Sequence, residues 1–76
     1  MATRAKIQLK TPIYAGMAYN QIAGWFESDD SNGNIWIQSP IGILLFNRDE
    51  IVYTVFIPED ADIEWMRDDT NILVLE

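Results

Sequence analysis

The sequence predicts a mainly β protein, either a small curled antiparallel sheet or an SH3-like barrel of five to six strands with room for one short helix. Short segments rich in β-branched and aromatic residues alternate with polar turns, which is typical of strands. Hydrophobic residues make up 49% of the chain, which indicates a folded protein. At 76 residues, the sequence predicts a single small domain over 1–76.

The first predicted strand covers residues 5–10, where apolar and polar side chains alternate. Thr11 and Pro12 are expected to end it, because proline cannot donate to a strand ladder. Residues 13–20 leave two structures open, a short helix or an irregular crossing. Gly16 weakens the helical alternative.

A hairpin is predicted around the polar stretch ESDDSNGNIW, with strands over 22–28 and 34–39. The stretch partly matches a calcium loop, with Asp30 at a ligand position. However, Ser28 replaces the first carboxylate, and Ser39 stands where a bidentate glutamate should close the site. The flanking residues are strand formers, so the sequence predicts a hairpin turn without calcium.

The expected register of this hairpin sets Phe26 opposite Ile35 and Trp25 opposite Trp36. It gathers apolar side chains on one face and leaves the two tryptophans side by side on the more polar face. Two interpretations stay open. The rings anchor a partner protein, or the remainder of the chain covers them as part of the core.

A second hairpin is predicted from strands over 41–46 and 51–57, with residues 47–50 as its loop. Both strands carry apolar side chains on both faces and so require cover on both faces. A second copy of the chain provides that cover in one interpretation. A curled barrel with one helix provides it in the other.

The tail is predicted to form a short helical or irregular turn and then a last strand over 72–75. Pro58, Glu59 and Asp60 suit the first turn of a helix. Alternation over residues 62–66 is also compatible with a strand, so this alternative stays open.

Composition excludes several classes of function. The chain has no cysteine or histidine, which removes thiolate nucleophiles, disulfides and the usual metal ligands and general base. We expect no cofactor, no metal and no enzymatic activity, since adjacent acids along a chain do not establish a converging catalytic pair. The longest apolar run, 41–46, is too short to span a membrane, and we see no signal peptide. A soluble cytoplasmic protein is therefore expected.

The formal charge of −7 is unevenly distributed. Arg4, Lys6 and Lys10 precede Phe26 without any acid. After Phe26, two arginines stand against all 12 acids, a net charge of −10. This disfavours direct nucleic-acid binding and anionic membranes, and it favours a partner protein with a basic surface. Alternatively, the acids only maintain solubility.

The sequence therefore predicts an acidic protein-binding module, in its narrower form an inhibitor that occupies a basic, nucleic-acid-binding site on a partner protein. The alternative is a small structural module that self-assembles into a homo-oligomer or caps a larger complex. The candidate partner-binding residues are two tryptophans and ten acids: Trp25, Trp36, Asp29, Asp30, Asp49, Glu50, Glu59, Asp60, Asp62, Glu64, Asp68 and Asp69.

Overall fold

A computed structural model describes residues 2–75. Strands account for 61% of the structure, which confirms the mainly β prediction. The elements are β1 Thr3–Tyr14, β2 Ala18–Asp29, β3 Ile35–Ser39, β4 Gly42–Phe46, a 3₁₀ turn Arg48–Glu50, β5 Ile51–Pro58, the helix α1 Glu64–Arg67 and β6 Ile72–Val74.

The strands form a single sheet in the order β4-β3-β2-β1-β5, and these neighbours are all antiparallel. The short β6 is parallel to β2 and pairs with residues 21–23 of that strand, just before the part that pairs with β3. The ends of the order, β4 and β5, do not pair with each other, so the sheet is open. Of the two predicted architectures, the structure has the sheet rather than a closed barrel.

Residues 13–20 form neither a helix nor a crossing, and Pro12 does not end the first strand. β1 and β2 are joined in a long hairpin, whose turn contains Gly16 at a φ of 81°. Pro12 is tolerated because β5 pairs with β1 only as far as Leu9, and the pairing with β2 shifts between Gln8 and Ile13. The missing N–H of proline therefore falls outside the regular ladder.

The predicted pairing of 41–46 with 51–57 is wrong. β4 forms a hairpin with β3 instead, and β5 pairs with β1 at the other end of the sheet. The connection between them is the 3₁₀ turn, whose Arg48 N–H donates a hydrogen bond of 2.9 Å to the side-chain oxygen of Asn34. This bond holds the turn beside the 30–34 loop and directs the chain towards β1.

Two apolar clusters cover the two faces of the sheet. The first face carries Ala5, Ile7, Leu9, Ile22, Ile35 and Ile37. The second carries Ala23 and Ile57 beneath Ile63, Met66 and Ile72. No residue of α1 belongs to the first cluster, but Leu73 and Leu75 of the tail pack against it, and Ile7 and Ile37 are fully inaccessible.

The tail has the predicted order of a helical turn and a last strand, but the helix is Glu64–Arg67, so it does not begin at Pro58, which ends β5, and residues 62–66 form no strand. The single helical turn buries Met66 against the second face. Within residues 2–75, no helix has the length and apolar character needed to cross a membrane.

Candidate functional site

An apolar patch lies on the second face at the β4 end of the sheet. Trp36 stands between two residues of the first cluster, Ile35 and Ile37, so alternation turns its ring to the second face. Leu45 lies directly opposite Trp36 and is 45% exposed, and Ile43 on the same strand is 54% exposed. We call Trp36, Ile43 and Leu45 the β3–β4 patch.

The two candidate tryptophans share this face but are not opposite each other. A bulge at Glu27 shifts the register, so Trp25 lies opposite Gln38 and Trp36 lies opposite Ser28. The predicted pairing of Phe26 with Ile35 is wrong for the same reason, because Phe26 lies opposite Ile37. An extra residue in one strand leaves the alternation on each side intact, and so the sequence pattern does not reveal it.

The amino-terminal strand covers Trp25. Arg4 is buried, and its Cζ lies 4.0 Å from the centroid of the Trp25 ring, within the range of a cation–π contact. Lys6 is also buried, with its Nζ 5.3 Å from the ring centroid of Tyr53. Two of the basic residues that precede Phe26 are therefore turned into the protein and are not exposed to contact a partner.

Asp30 organises the 30–34 loop and holds Trp36. One carboxylate oxygen accepts the backbone N–H groups of Asn32 and Asn34, at 2.9 and 3.1 Å. Partial desolvation raises the pKa of Asp30, but these bonds, with further hydrogen bonds from the side chains of Asn34 and Trp36, outweigh it and hold that pKa below its usual range. Gly33 completes the turn at a φ of 85°. The predicted hairpin turn is confirmed.

The loop and the 3₁₀ turn bring four candidate acids to one end of the molecule: Asp29, Asp30, Asp49 and Glu50. Asn34 joins the two segments, because its side chain donates to Asp30 and accepts from the Arg48 N–H. Between them lies a shallow cleft of about 260 Å³. Arg48 forms an exposed ion pair of 3.6 Å with Asp49. Exposed pairs of this kind contribute little to stability.

The six candidate acids of the tail lie after β5, and all six are exposed: Glu59, Asp60, Asp62, Glu64, Asp68 and Asp69. Several of them shape the tail itself. Asp62 accepts the N–H of Glu64 at 3.0 Å, and Asp69 accepts that of Asn71 at 2.8 Å. Glu64 pairs with Arg67 at 2.8 Å. Three of the six tail acids, Asp62, Glu64 and Asp69, thus have contacts within the tail itself.

Sequence reasoning missed four surface residues. Ile43 and Leu45 were expected to be covered, but β4 is an edge strand whose second face is open. Trp65 is 53% exposed, with its Nε1 donating to the Asp62 carbonyl oxygen. Glu27, whose carboxylate accepts a hydrogen bond from Gln38, lies at the bulge beside the patch. For Trp65, the acids that flank it in the sequence could have indicated that its segment is exposed.

The β3–β4 patch offers apolar contact area, and the acids at the loop end of the molecule offer carboxylate acceptors. Among residues 2–75, no group of three acidic side chains converges as a metal site would require. An apolar centre with a polar rim is the usual anatomy of a protein interface.

No protein-family model, curated protein or solved structure matches this chain.

Proposed function

We propose that this protein is a non-enzymatic binding module that contacts a basic surface of a partner protein through the β3–β4 patch. The observation that carries the proposal is the setting of Trp36. Its side chain is one of the groups that lower the pKa of Asp30, and it lies directly opposite Leu45, which remains 45% exposed. A large aromatic ring held in one position loses little conformational entropy on binding, and such residues commonly dominate interface energetics.

The charge distribution supports a basic partner. Asp29, Asp49 and Glu50 are exposed at the loop end of the molecule, and Asp29 is part of the strand whose loop leads to Trp36. The net charge of −7 makes the overall field negative, and the burial of Arg4 and Lys6 leaves few cationic side chains exposed to a partner. A field of this sign accelerates encounter with a positively charged surface.

The narrower form of the proposal is an inhibitor that occupies a nucleic-acid-binding site. Carboxylates would replace phosphates as partners of the arginines and lysines in such a site, and the β3–β4 patch would add apolar contact. This form requires that nucleic acid and this protein exclude each other on the partner.

A second candidate function, a structural module that self-assembles, is supported by the edge strands. Of the two edge strands, β4 exposes the apolar side chains of Ile43 and Leu45 at an open end of the sheet. Open apolar edges favour pairing between chains.

Comparative capture from a lysate tests the first proposal. Wild type is compared with Trp36→Ala and Ile43→Lys, and with Met17→Lys as a matched control, since Met17 is 53% exposed in the distant β1–β2 turn and Ile43 is 54% exposed. We expect a basic protein that wild type and Met17→Lys retain and the patch variants lose. Its affinity is then measured with the purified pair, with and without DNA.

A partner that binds Ile43→Lys as tightly as wild type contradicts the assignment to the β3–β4 patch. A partner that binds this protein and DNA simultaneously contradicts the inhibitor form of the proposal. The broader proposal of a binding module would still hold.

A further inference from the structure

The outer edge of β5 has the features of a strand-binding site. β5 ends the sheet order, so no strand within residues 2–75 lies along one side of its backbone. None of its eight residues is charged. Its exposed apolar side chains are Val52, Tyr53, Val55 and Phe56, at 57, 44, 40 and 51%.

These side chains lie on both faces of β5. Phe56 is on the first face, where its ring meets Phe26 edge to face with centroids 5.1 Å apart. Tyr53 is on the second face, beside Lys6. Apolar groups on both sides of an open backbone edge are best covered by another strand, which satisfies the N–H and C=O groups and flanks both faces together.

Charge is confined to the two ends of this edge. Asp49 and Glu50 precede β5, with Arg48 offsetting one of the two charges, and Glu59 and Asp60 follow it. From Glu50 to Glu59 the chain spans roughly 30 Å at the rise of an extended strand. An open cleft of about 520 Å³ adjoins the second end, and Phe56, Pro58, Glu59 and Asp60 are among its lining residues.

This charge pattern does not fit a second copy of the chain. An antiparallel pair of β5 strands centred on Thr54 places Tyr53 of one copy beside Val55 of the other. The same register sets Asp49 of each copy opposite Glu59 of the other, Glu50 opposite Pro58 and Arg48 opposite Asp60, so a segment of net charge −1 faces one of −2 at each end. Both ends of the pair would then carry net negative charge on both sides, which is unfavourable.

We propose that the β5 edge binds an extended segment of a partner protein as an added strand. The segment has an uncharged, β-forming centre and basic residues at both ends, and one of its apolar side chains enters the cleft beside Phe56. The inference rests on the proposed function only in taking a basic partner. It concerns a different surface, since β4 and β5 are opposite ends of the strand order.

A defined peptide tests this inference without the natural partner. The probe has two lysines at each end of six alternating valine and threonine residues, with a fluorescent label for anisotropy. One control peptide has glutamates in place of the lysines. A second keeps the lysines and has proline at a central position, which removes a ladder hydrogen bond but not the charge.

We expect the lysine peptide to bind and to protect the β5 amides from hydrogen exchange. The central proline should weaken binding roughly tenfold or more, the amount expected for losing a backbone hydrogen bond and its alignment. Val52→Lys should abolish binding, whereas Ile43→Lys on the β3–β4 patch should not change it. Glu59→Gln with Asp60→Asn should weaken binding more than the equal charge change in Asp68→Asn with Asp69→Asn.

Three results overturn the inference: no binding of the lysine peptide at millimolar concentration, equal affinity for the proline peptide, or β5 amides that stay unprotected in the complex. The inference is also overturned if the protein alone forms a dimer that Val52→Lys dissociates, because the β5 edge would then bind a second copy of the chain. None of these results bears on Trp36, and so the proposed function is judged separately by the capture experiment.

Discussion

Gly24 of β2 packs directly against Ile37 of β3 in the first-face cluster. A Cβ atom added at Gly24 would lie 2.5 Å from Cγ2 of Ile37 and 3.4 Å from Cβ of Leu75. The backbone at Gly24 does not have a positive φ, so its requirement for glycine comes from space and not from conformation. This contact makes the packing between β2 and β3 open to a direct test.

Gly24→Ala is expected to destabilise the protein by about 1–3 kcal/mol, because overpacking a tight core forces neighbouring groups to move. Urea unfolding measures the change in the free energy of unfolding. Ile37→Leu removes the clashing β-methyl group, and so the double variant should be less destabilised than the two single changes predict together. Strict additivity would show that Gly24 and Ile37 are not in contact.

Asp30 should make stability depend on acid pH. Its pKa in the folded state is lowered, so the carboxylate stabilises the fold fully above its unfolded pKa of about 4. That contribution is lost as the pH falls through the folded-state pKa. Melting temperatures of wild type and Asp30→Asn, followed from neutral to strongly acidic pH, should converge at the acid end. Asp29→Asn is the matched control, and an equal effect of both changes would contradict the role of the loop hydrogen bonds.

Once a partner is identified, substitutions of acidic and of apolar residues at the proposed interface should change different rate constants. Asp29→Asn with Asp49→Asn leaves the loop hydrogen bonds of Asp30 in place and should slow association, with a steep loss of affinity as salt screens charges beyond about 8 Å. Trp36→Ala should instead accelerate dissociation and cost roughly 2 kcal/mol or more. Surface plasmon resonance measures both rates. If Trp36→Ala unfolds the domain while the Asn variant binds normally, the ring is structural.

Self-association separates the binding module from the structural module. Light scattering at micromolar concentration should give the monomer mass of 8.8 kDa if the exposed edges serve other proteins. A larger mass that returns to 8.8 kDa in Ile43→Lys, but not in Met17→Lys, would identify β4 as an assembly surface and favour the structural module.

The acidic surface should prevent binding to DNA or RNA at physiological salt, since such binding requires cations that displace counterions. A fluorescence polarisation titration with a short duplex and a single strand checks this. Micromolar affinity would mean that Lys10 and the nearby amino-terminal residues outweigh the acids, and a variant with Lys10→Gln should then lose it.

Local features were predictable from the sequence because their causes are local. The Asp, Asn and Gly residues of the 30–34 loop supply a turn by their own hydrogen bonds and by the positive φ of Gly33. Alternation placed Trp25 and Trp36 on the same face correctly, and the composition placed the acids in exposed segments. The candidate acids of the tail and the loop end were named from sequence, whereas Ile43, Leu45 and Trp65 were not.

Which strands become neighbours depended on the tertiary structure. Alternation along a strand determines which side chains share a face, but it does not determine which other strand pairs with it. The sequence by itself determined a mainly β chain with a polar first-hairpin turn and an acidic surface. Only the folded structure decided that β5 joins β1, because that pairing depends on contacts between residues far apart in the chain, and that Glu27 forms a bulge, because alternation is the same on either side of an inserted residue. The pairing of β4 with β3 and of β5 with β1 leaves β4 and β5 as open edges, where both proposed binding surfaces lie.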